Sequence, residues 1–260
     1  MPASRPLSAR SIILSALMGS PRGLRADLLV HFATLFGIAE GTSRVALTRM
    51  SQSGEITQES GRYRLAGRLD ERRRRQDGSR FAAEVEWSGD WEMFVVQAPQ
   101  RDHQARYALR AAGSRLLLAE LREGVWIRPA NLIREPGSED LAVVAAQCEA
   151  FTMRPHTPGA ELTARLWPLG DWAAAAVALE ARLRAGLADL RERGGDGLAE
   201  AFVLSADTLR LLLDDPLLPA TLLPPDWPGP ALRAAFEEFD RLWQEIFLSW
   251  ARDFRRAAVR

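Results

Sequence analysis

The chain has 260 residues, 47% hydrophobic and 26% charged, with 34 basic residues against 34 acidic ones. That composition excludes disordered, collagen-like and membrane-spanning classes, and the one cysteine, Cys148, excludes an intramolecular disulfide and a Cys-rich zinc site. The zero net charge conceals a division: residues 1–80 hold 14 Arg against 7 acidic residues, a balance of +7, and residues 81–260 hold 20 Arg against 27, a balance of −7. Halves of opposite sign are expected where a nucleic-acid-binding domain is joined to a different module. Every basic residue is Arg and Asn131 is the only Asn, a bias we read as GC-rich coding rather than function.

Ser8-Ala9-Arg10-Ser11 leads into Ile12, Ile13, Ala16 and Leu17, a helical pattern that stops at Gly19-Ser20-Pro21-Arg22-Gly23. The apolar run Ser11–Leu17 behind Arg5 and Arg10 also resembles a short signal peptide, but it lacks the length and a small-x-small cleavage site. A first helix and a cytoplasmic protein are therefore expected, and no apolar stretch reaches the length of a membrane span. Leu24, Leu28, Leu29, Phe32 and Leu35 recur at helical spacing up to Gly37, and a third short helix is predicted from about Gly41 to Gln52, ended by Gly54. Glu55–Thr57 and Arg62–Leu65 read as a hairpin joined by Gln58-Glu59-Ser60-Gly61. Helix, helix, helix and hairpin is the element order of a winged helix-turn-helix. Residues 66–80, with Arg68, Arg72–Arg75 and Arg80, carry no apolar period and read as a linker or a frayed charged helix.

A new register begins at Trp87-Ser88-Gly89-Asp90-Trp91. Trp91–Gln97 reads as a strand, Asp102–Ala112 as a helix ending at Gly113, Leu116–Leu118 and Val125–Ile127 as short strands, and Leu141–Ala146 as a strand or a helix. Such alternation suggests a small ferredoxin-like α+β sandwich. From about Ala160 the pattern is helical. Trp172, Ala176, Leu179, Leu183, Leu187 and Leu190 mark one face of a helix ending at Gly194-Gly195, and Leu198–Leu213 forms another. The Pro-rich Pro216–Pro230 cannot be regular helix, and a last helix carries Leu232, Phe236, Phe239, Trp243, Ile246, Trp250 and Phe254. The expected fold is therefore α+β, multidomain and mostly helical: a winged helix-turn-helix with an Arg-rich linker (1–80), a ferredoxin-like middle domain (81–158) and a helical C-terminal domain (159–260).

The third helix is the sharpest chemical candidate. Leu47 and Met50 are expected to face the core with Ala46 beside them, leaving Thr42, Arg44, Val45, Thr48, Arg49 and Gln52 outward. Short hydroxylated residues and Arg at the start of such a helix reach phosphates and base edges. Thr42, Ser43, Arg44, Thr48 and Arg49, with Arg62 and Arg64 on the hairpin, are the DNA-binding candidates; the bland alternative is a solvated basic helix in a small bundle. Arg72–Arg75 could neutralise phosphates or simply be solvated. No G-x-G-x-x-G, P-loop, G-x-S-x-G or H-E-x-x-H motif occurs, and His31, His103 and His156 are not at metal-ligand spacing. Cys148 among alanines reads as a small buried thiol. Asp90 and Asp102 flank the first middle-domain strand, where carboxylates could hold Mg²⁺ in a nuclease or serve as turn and cap residues. Trp87, Trp91 and Trp126 read as core, or as the lining of an aryl-ligand pocket.

Several strings resemble the PaaX family of bacterial transcriptional repressors of phenylacetate degradation. Ser8-Ala9-Arg10-Ser11 and Arg44-Val45-Ala46-Leu47-Thr48-Arg49-Met50 resemble its winged-helix domain; Trp87-x-Gly89-x-Trp91 and Gly124-Val125-Trp126-Ile127-Arg128-Pro129 resemble its middle domain, similar to the small CRISPR-associated nuclease. Ala201-Phe202-Val203-Leu204, Arg210 and the long string from Asp215-Pro216-Leu217-Leu218-Pro219 to Asp226-Trp227-Pro228-Gly229 resemble its C-terminal domain, although Asp214 stands where the family tends to place a basic residue. The resemblance implies a non-enzymatic, cofactor-free homodimer that binds a palindromic DNA operator through Thr42–Met50 and is released by an acyl-CoA thioester such as phenylacetyl-CoA. It marks no residues for the effector pocket. A metal-dependent nuclease and a DNA-binding scaffold without a small ligand are the alternatives.

Overall fold

A computed structural model describes residues 8–67, 69, 85–97, 102–134 and 138–257. The Arg72–Arg75 run lies outside the described residues. The chain divides into two compact units, neither continuous in sequence: residues 1–80, 177–213 and 230–260 make one, and residues 81–176 and 214–229 the other.

The first unit opens with α1 (Ala9–Met18), capped by Ser8, whose hydroxyl accepts the amide of Ser11 at 3.2 Å. The short strand β1 (Leu24–Arg25) precedes α2 (Ala26–Thr34) and α3 (Glu40–Gln52). Strands β2 (Ile56–Glu59) and β3 (Arg62–Leu65) complete an antiparallel sheet of order β1-β3-β2. The hairpin is tighter than the sequence predicts. Gln58 and Glu59 pair with Tyr63 and Arg62, so the loop is only Ser60-Gly61, with φ of 50° and 74°. Two left-handed residues give the turn a twist that matches the flanking strands. Gly23 is required at its position: a Cβ there would sit 2.5 Å from the carbonyl oxygen of Tyr63 across the sheet.

The core under these elements joins Ile12, Ile13, Leu17, Leu29, Phe32, Leu47, Met50 and Ile56 to Leu198, Phe202 and Phe247 from far along the chain. The last three lie on α8 (Leu198–Leu213) and α9 (Gly229–Ala257). Phe32 is fully buried and makes edge contacts with Phe36, Phe202 and Phe247 at 5.3–5.5 Å, a geometry that suits the ring quadrupoles. His31 stacks on Trp250 at 4.9 Å and on Phe254 at 4.1 Å. The apolar stripe of the last helix is thus the second wall of the N-terminal core.

The second unit contains β4 (Trp91–Val96), α4 (His103–Arg115), β5 (Ala119–Arg122), β6 (Val125–Pro129), α5 (Glu139–Ala145) and β7 (Cys148–Met153). All neighbours in the sheet, of order β5-β6-β4-β7, are antiparallel. Phe94, Val96 and Cys148 lie under α4 and α5. Trp91, Met93, Ile127 and Met153 lie on the opposite face, covered by α6 (Gly159–Leu166) and Leu222.

Three local expectations change. The helix α4 continues through Gly113 to Arg115, and Gly113 serves packing rather than termination: it lies against the Trp126 ring, where a Cβ would come within 3.1 Å. Leu116–Leu118 is a turn, with Leu117 at φ 57°, and the strand begins only at Ala119. Cys148–Met153 is a strand with residues 149–152 exposed, so it has neither an alternating nor a continuous apolar pattern to announce it.

The helix α7 (Leu169–Arg193) buries its predicted stripe from Trp172 to Leu190 and stops before a 3₁₀ turn, Gly194–Gly197. The Pro-rich stretch has only a 3₁₀ turn at Ala220–Leu222, and α9 starts at Gly229 with Pro230 in its first turn, where a missing N–H costs little. Asp215, Leu217, Leu218 and Leu222 are buried in the second unit. There the Arg128 guanidinium, fully buried, donates to the carbonyls of Leu217 at 3.1 Å and Pro216 at 3.5 Å and to Asn131 Oδ1 at 3.0 Å. The strings around Arg128 and around Pro216-Leu217 therefore meet each other.

Candidate nucleic-acid interface

The face of α3 is set by which residues the core takes. Ser43, Leu47 and Met50 are buried, and Ala46 is half-buried beside them. On a helix of 3.6 residues per turn the direction opposite that stripe falls on Val45, Thr48 and Gln52, with Arg44 on one flank and Arg49 on the other. All five are exposed, as is Thr42.

Their partners determine what each offers. Arg44 pairs with Glu40 one turn earlier at 3.4 Å, and both side chains are about 60% exposed. An ion pair so exposed is weak, so it holds the Arg44 guanidinium only loosely. Arg49 has no hydrogen bond or ion pair to any described residue. The hydroxyl of Thr48 donates to the Arg44 carbonyl at 3.1 Å, which leaves its methyl as the outward-facing group.

The hairpin arginines differ from one another. Arg64 pairs with Glu59 across the hairpin at 3.3 Å and is exposed. Arg62 commits one donor to the Gly23 carbonyl at 3.0 Å, tying β3 to the turn before β1. Ser43 departs from expectation. It is fully buried, with its hydroxyl 3.5 Å from the Ala39 carbonyl, and it packs α3 rather than presenting it. The helical period already puts Ser43 on the Leu47 and Met50 side.

One brace escaped the sequence. Arg10 of α1 grips Glu55 through two nitrogens, at 2.8 and 3.0 Å, across 45 residues. Glu55 follows the Gly54 turn that ends α3, so the pair fixes the exit of the helix into the hairpin. The guanidinium bonded to it holds the Glu55 carboxyl below its ordinary range, and the carboxylate in turn raises Arg10.

The residues named for a metal have other tasks. Asp90 accepts from Arg154 and from the Ser88 hydroxyl, and these bonds hold its carboxyl low. Asp102 caps α4, accepting the amide of Ala105 at 2.6 Å. Cys148 is buried. Among the described residues no group of three or more His, Cys, Asp or Glu converges, and no helix is long and apolar enough to cross a membrane. Trp87 and Trp91 pack with Ile127 in the core of the second unit, and Trp126 is buried against α4.

Three family models align with the chain in order. Residues 8–69 match the PaaX-like protein model, residues 84–154 the PaaX protein central Cas2-like domain, and residues 167–250 the PaaX-like protein C-terminal domain. The chain belongs to the PaaX family. The chain is also similar to a solved structure, that of the uncharacterised protein Rv0674 from Mycobacterium tuberculosis, with 39% identity over 93% of this chain and 98% of that one and a TM-score of 0.73. No curated protein sequence matches. The PaaX model for residues 8–69 spans the whole α1-to-β3 module, and the Cas2-like model spans the four-stranded sheet and its two helices.

Proposed function

We propose that this PaaX-family protein is a DNA-binding transcriptional regulator in which α1–α3 and the β2–β3 hairpin act as a winged helix-turn-helix. The observation that carries this reading is the exposed face of α3, where Val45, Thr48 and Gln52 run between Arg44 and Arg49 directly opposite the buried stripe. Such a helix enters the major groove while a wing contacts the flanking backbone. The family assignment supports regulation over catalysis. The β-α-β-β-α-β order of the middle unit supports a ferredoxin-like module, here serving assembly and control, since its aspartates are engaged as turn and cap.

In this reading the protein is a cytoplasmic homodimer that represses an aromatic-acid catabolic operon. Two α3 helices occupy successive major grooves of a palindromic operator, about one helical turn apart. Arg44, Arg49 and Arg64 neutralise phosphates and supply most of the affinity, and the centre of the α3 face selects sequence. An acyl-CoA thioester such as phenylacetyl-CoA releases the operator by favouring a dimer geometry that no longer fits it. A release of about 100-fold needs roughly 2.7 kcal/mol of differential affinity for the two geometries.

The test is fluorescence anisotropy of the full chain on the DNA upstream of its own gene, with and without phenylacetyl-CoA. Salt-dependent binding relieved by the thioester supports the whole reading. Binding that phenylacetyl-CoA leaves unchanged retains the regulator and refutes that effector. Absence of binding to any duplex in low salt refutes the DNA role.

A further inference from the structure

We propose that α3 reads thymine through its C5-methyl group, with Val45 as the specificity-determining contact and Thr48 beside it. This rests on the DNA-binding reading above and adds what the helix recognises. Val45 is 51% exposed at the middle of the α3 face. Neither folding nor solubility accounts for an isopropyl group there: a β-branched residue is a poorer helix former than Ala, and its side chain contributes nothing to the core that Leu47 and Met50 build.

Its surroundings narrow the partner. Arg44 and Arg49 flank it and Thr48 follows on the same face, a polar setting in which a protein groove is a poor match. Among the four bases, thymine alone shows an apolar group in the major groove, and apolar side chains are its natural contact. The hydroxyl of Thr48 is bonded back to Arg44, so a second methyl group faces the same way. The short side chains at 41, 42, 45 and 48 let the helix approach the base edges closely, and the longer arginines at either side span to the phosphates or to guanine.

The experiment enriches random-core duplexes on the full-length protein, then measures anisotropy on the selected duplex with each thymine replaced in turn by deoxyuridine, which removes only the methyl. Wild type is expected to lose about fourfold in affinity at one thymine per half-site for Val45, and a similar factor at a neighbouring thymine for Thr48, as befits one buried methyl group. In Val45→Ala the first penalty shrinks to less than about 1.5-fold while the second persists, and in Thr48→Ser the pattern reverses. The thermal midpoint of Val45→Ala is expected to match or exceed that of wild type, which separates recognition from stability. Enrichment of a sequence whose uracil replacements change nothing, or whose penalties survive in both variants, overturns the thymine contact and leaves the regulator standing. Failure to enrich any sequence overturns the DNA-binding reading and this inference with it.

Discussion

Replacing Arg128 with Met keeps most of the stem volume and removes every N–H of a fully buried guanidinium. In the native protein that group faces the carbonyls of Pro129 at 3.1 Å, Leu116 at 3.4 Å, Pro216 at 3.5 Å and Leu217 at 3.1 Å, and Asn131 Oδ1 at 3.0 Å. Two of these acceptors retain a donor in the variant, since Asn131 Nδ2 still reaches Leu217 at 2.9 Å and Arg134 still reaches Leu116 at 3.4 Å. The others are left with fewer partners in a site water does not enter, at about 1–3 kcal/mol for each acceptor wholly orphaned. Relief from holding a charge out of water offsets part of that loss. A net destabilisation of about 2–4 kcal/mol follows, or roughly 4–16 °C in melting temperature for a protein of this size. Differential scanning calorimetry and urea unfolding measure it. Arg128→Lys should recover only a small part, because three ammonium donors cannot serve acceptors arranged around a planar fork. A melting temperature for Arg128→Met within about 2 °C of wild type would refute the view that this guanidinium anchors the 215–219 string.

Arg49, exposed and without a partner among the described residues, is expected to act on phosphates. Arg49→Ala should weaken all duplexes alike and reduce the slope of log affinity against log salt by about 1, whereas a sequence-selective loss with an unchanged slope would assign it to a base. Ser43→Ala is expected to leave operator affinity within about twofold, since the hydroxyl lies inside the module; a tenfold loss in the anisotropy titration would return Ser43 to the interface. The Glu55 carboxyl, depressed by Arg10, stabilises the fold above the ordinary glutamate range and loses that contribution as pH falls through its own lowered value. With the Arg10 side chain 55% exposed, the effect is screened to less than about 1 kcal/mol. Glu55→Gln should therefore flatten the acid limb of a stability profile taken below about pH 5, and an identical limb would remove the brace from the account.

Much of the candidate interface was legible because it is a matter of local period. Leu47 and Met50 point inward and Arg44, Val45, Thr48 and Arg49 outward for any helix of this register, provided one side is buried. Ser43 belongs to the same period, which places it on the buried side with Leu47 and Met50. The hairpin was legible as two extended segments joined by Gln58-Glu59-Ser60-Gly61, but the extra ladder pairs of Gln58 and Glu59 come from contact with Tyr63 and Arg62 and leave no mark in polar residues.

The sequence by itself determined the helices, their apolar stripes, the division of charge and the strings that carry the family. Periodicity and turn chemistry are written within a few residues of each other, so they survive reading one segment at a time. Tertiary structure alone decided what covers what. The stripe on the last helix could have faced a partner copy; it closes the core around Phe32. Arg128 could have been a surface charge; two of the carbonyls that surround it arrive from 88 and 89 residues away. The strand Cys148–Met153 has no apolar alternation and exists because β4 offers it an edge to pair with. Burial depends on the neighbours that folding brings together, and those neighbours lie beyond any local window.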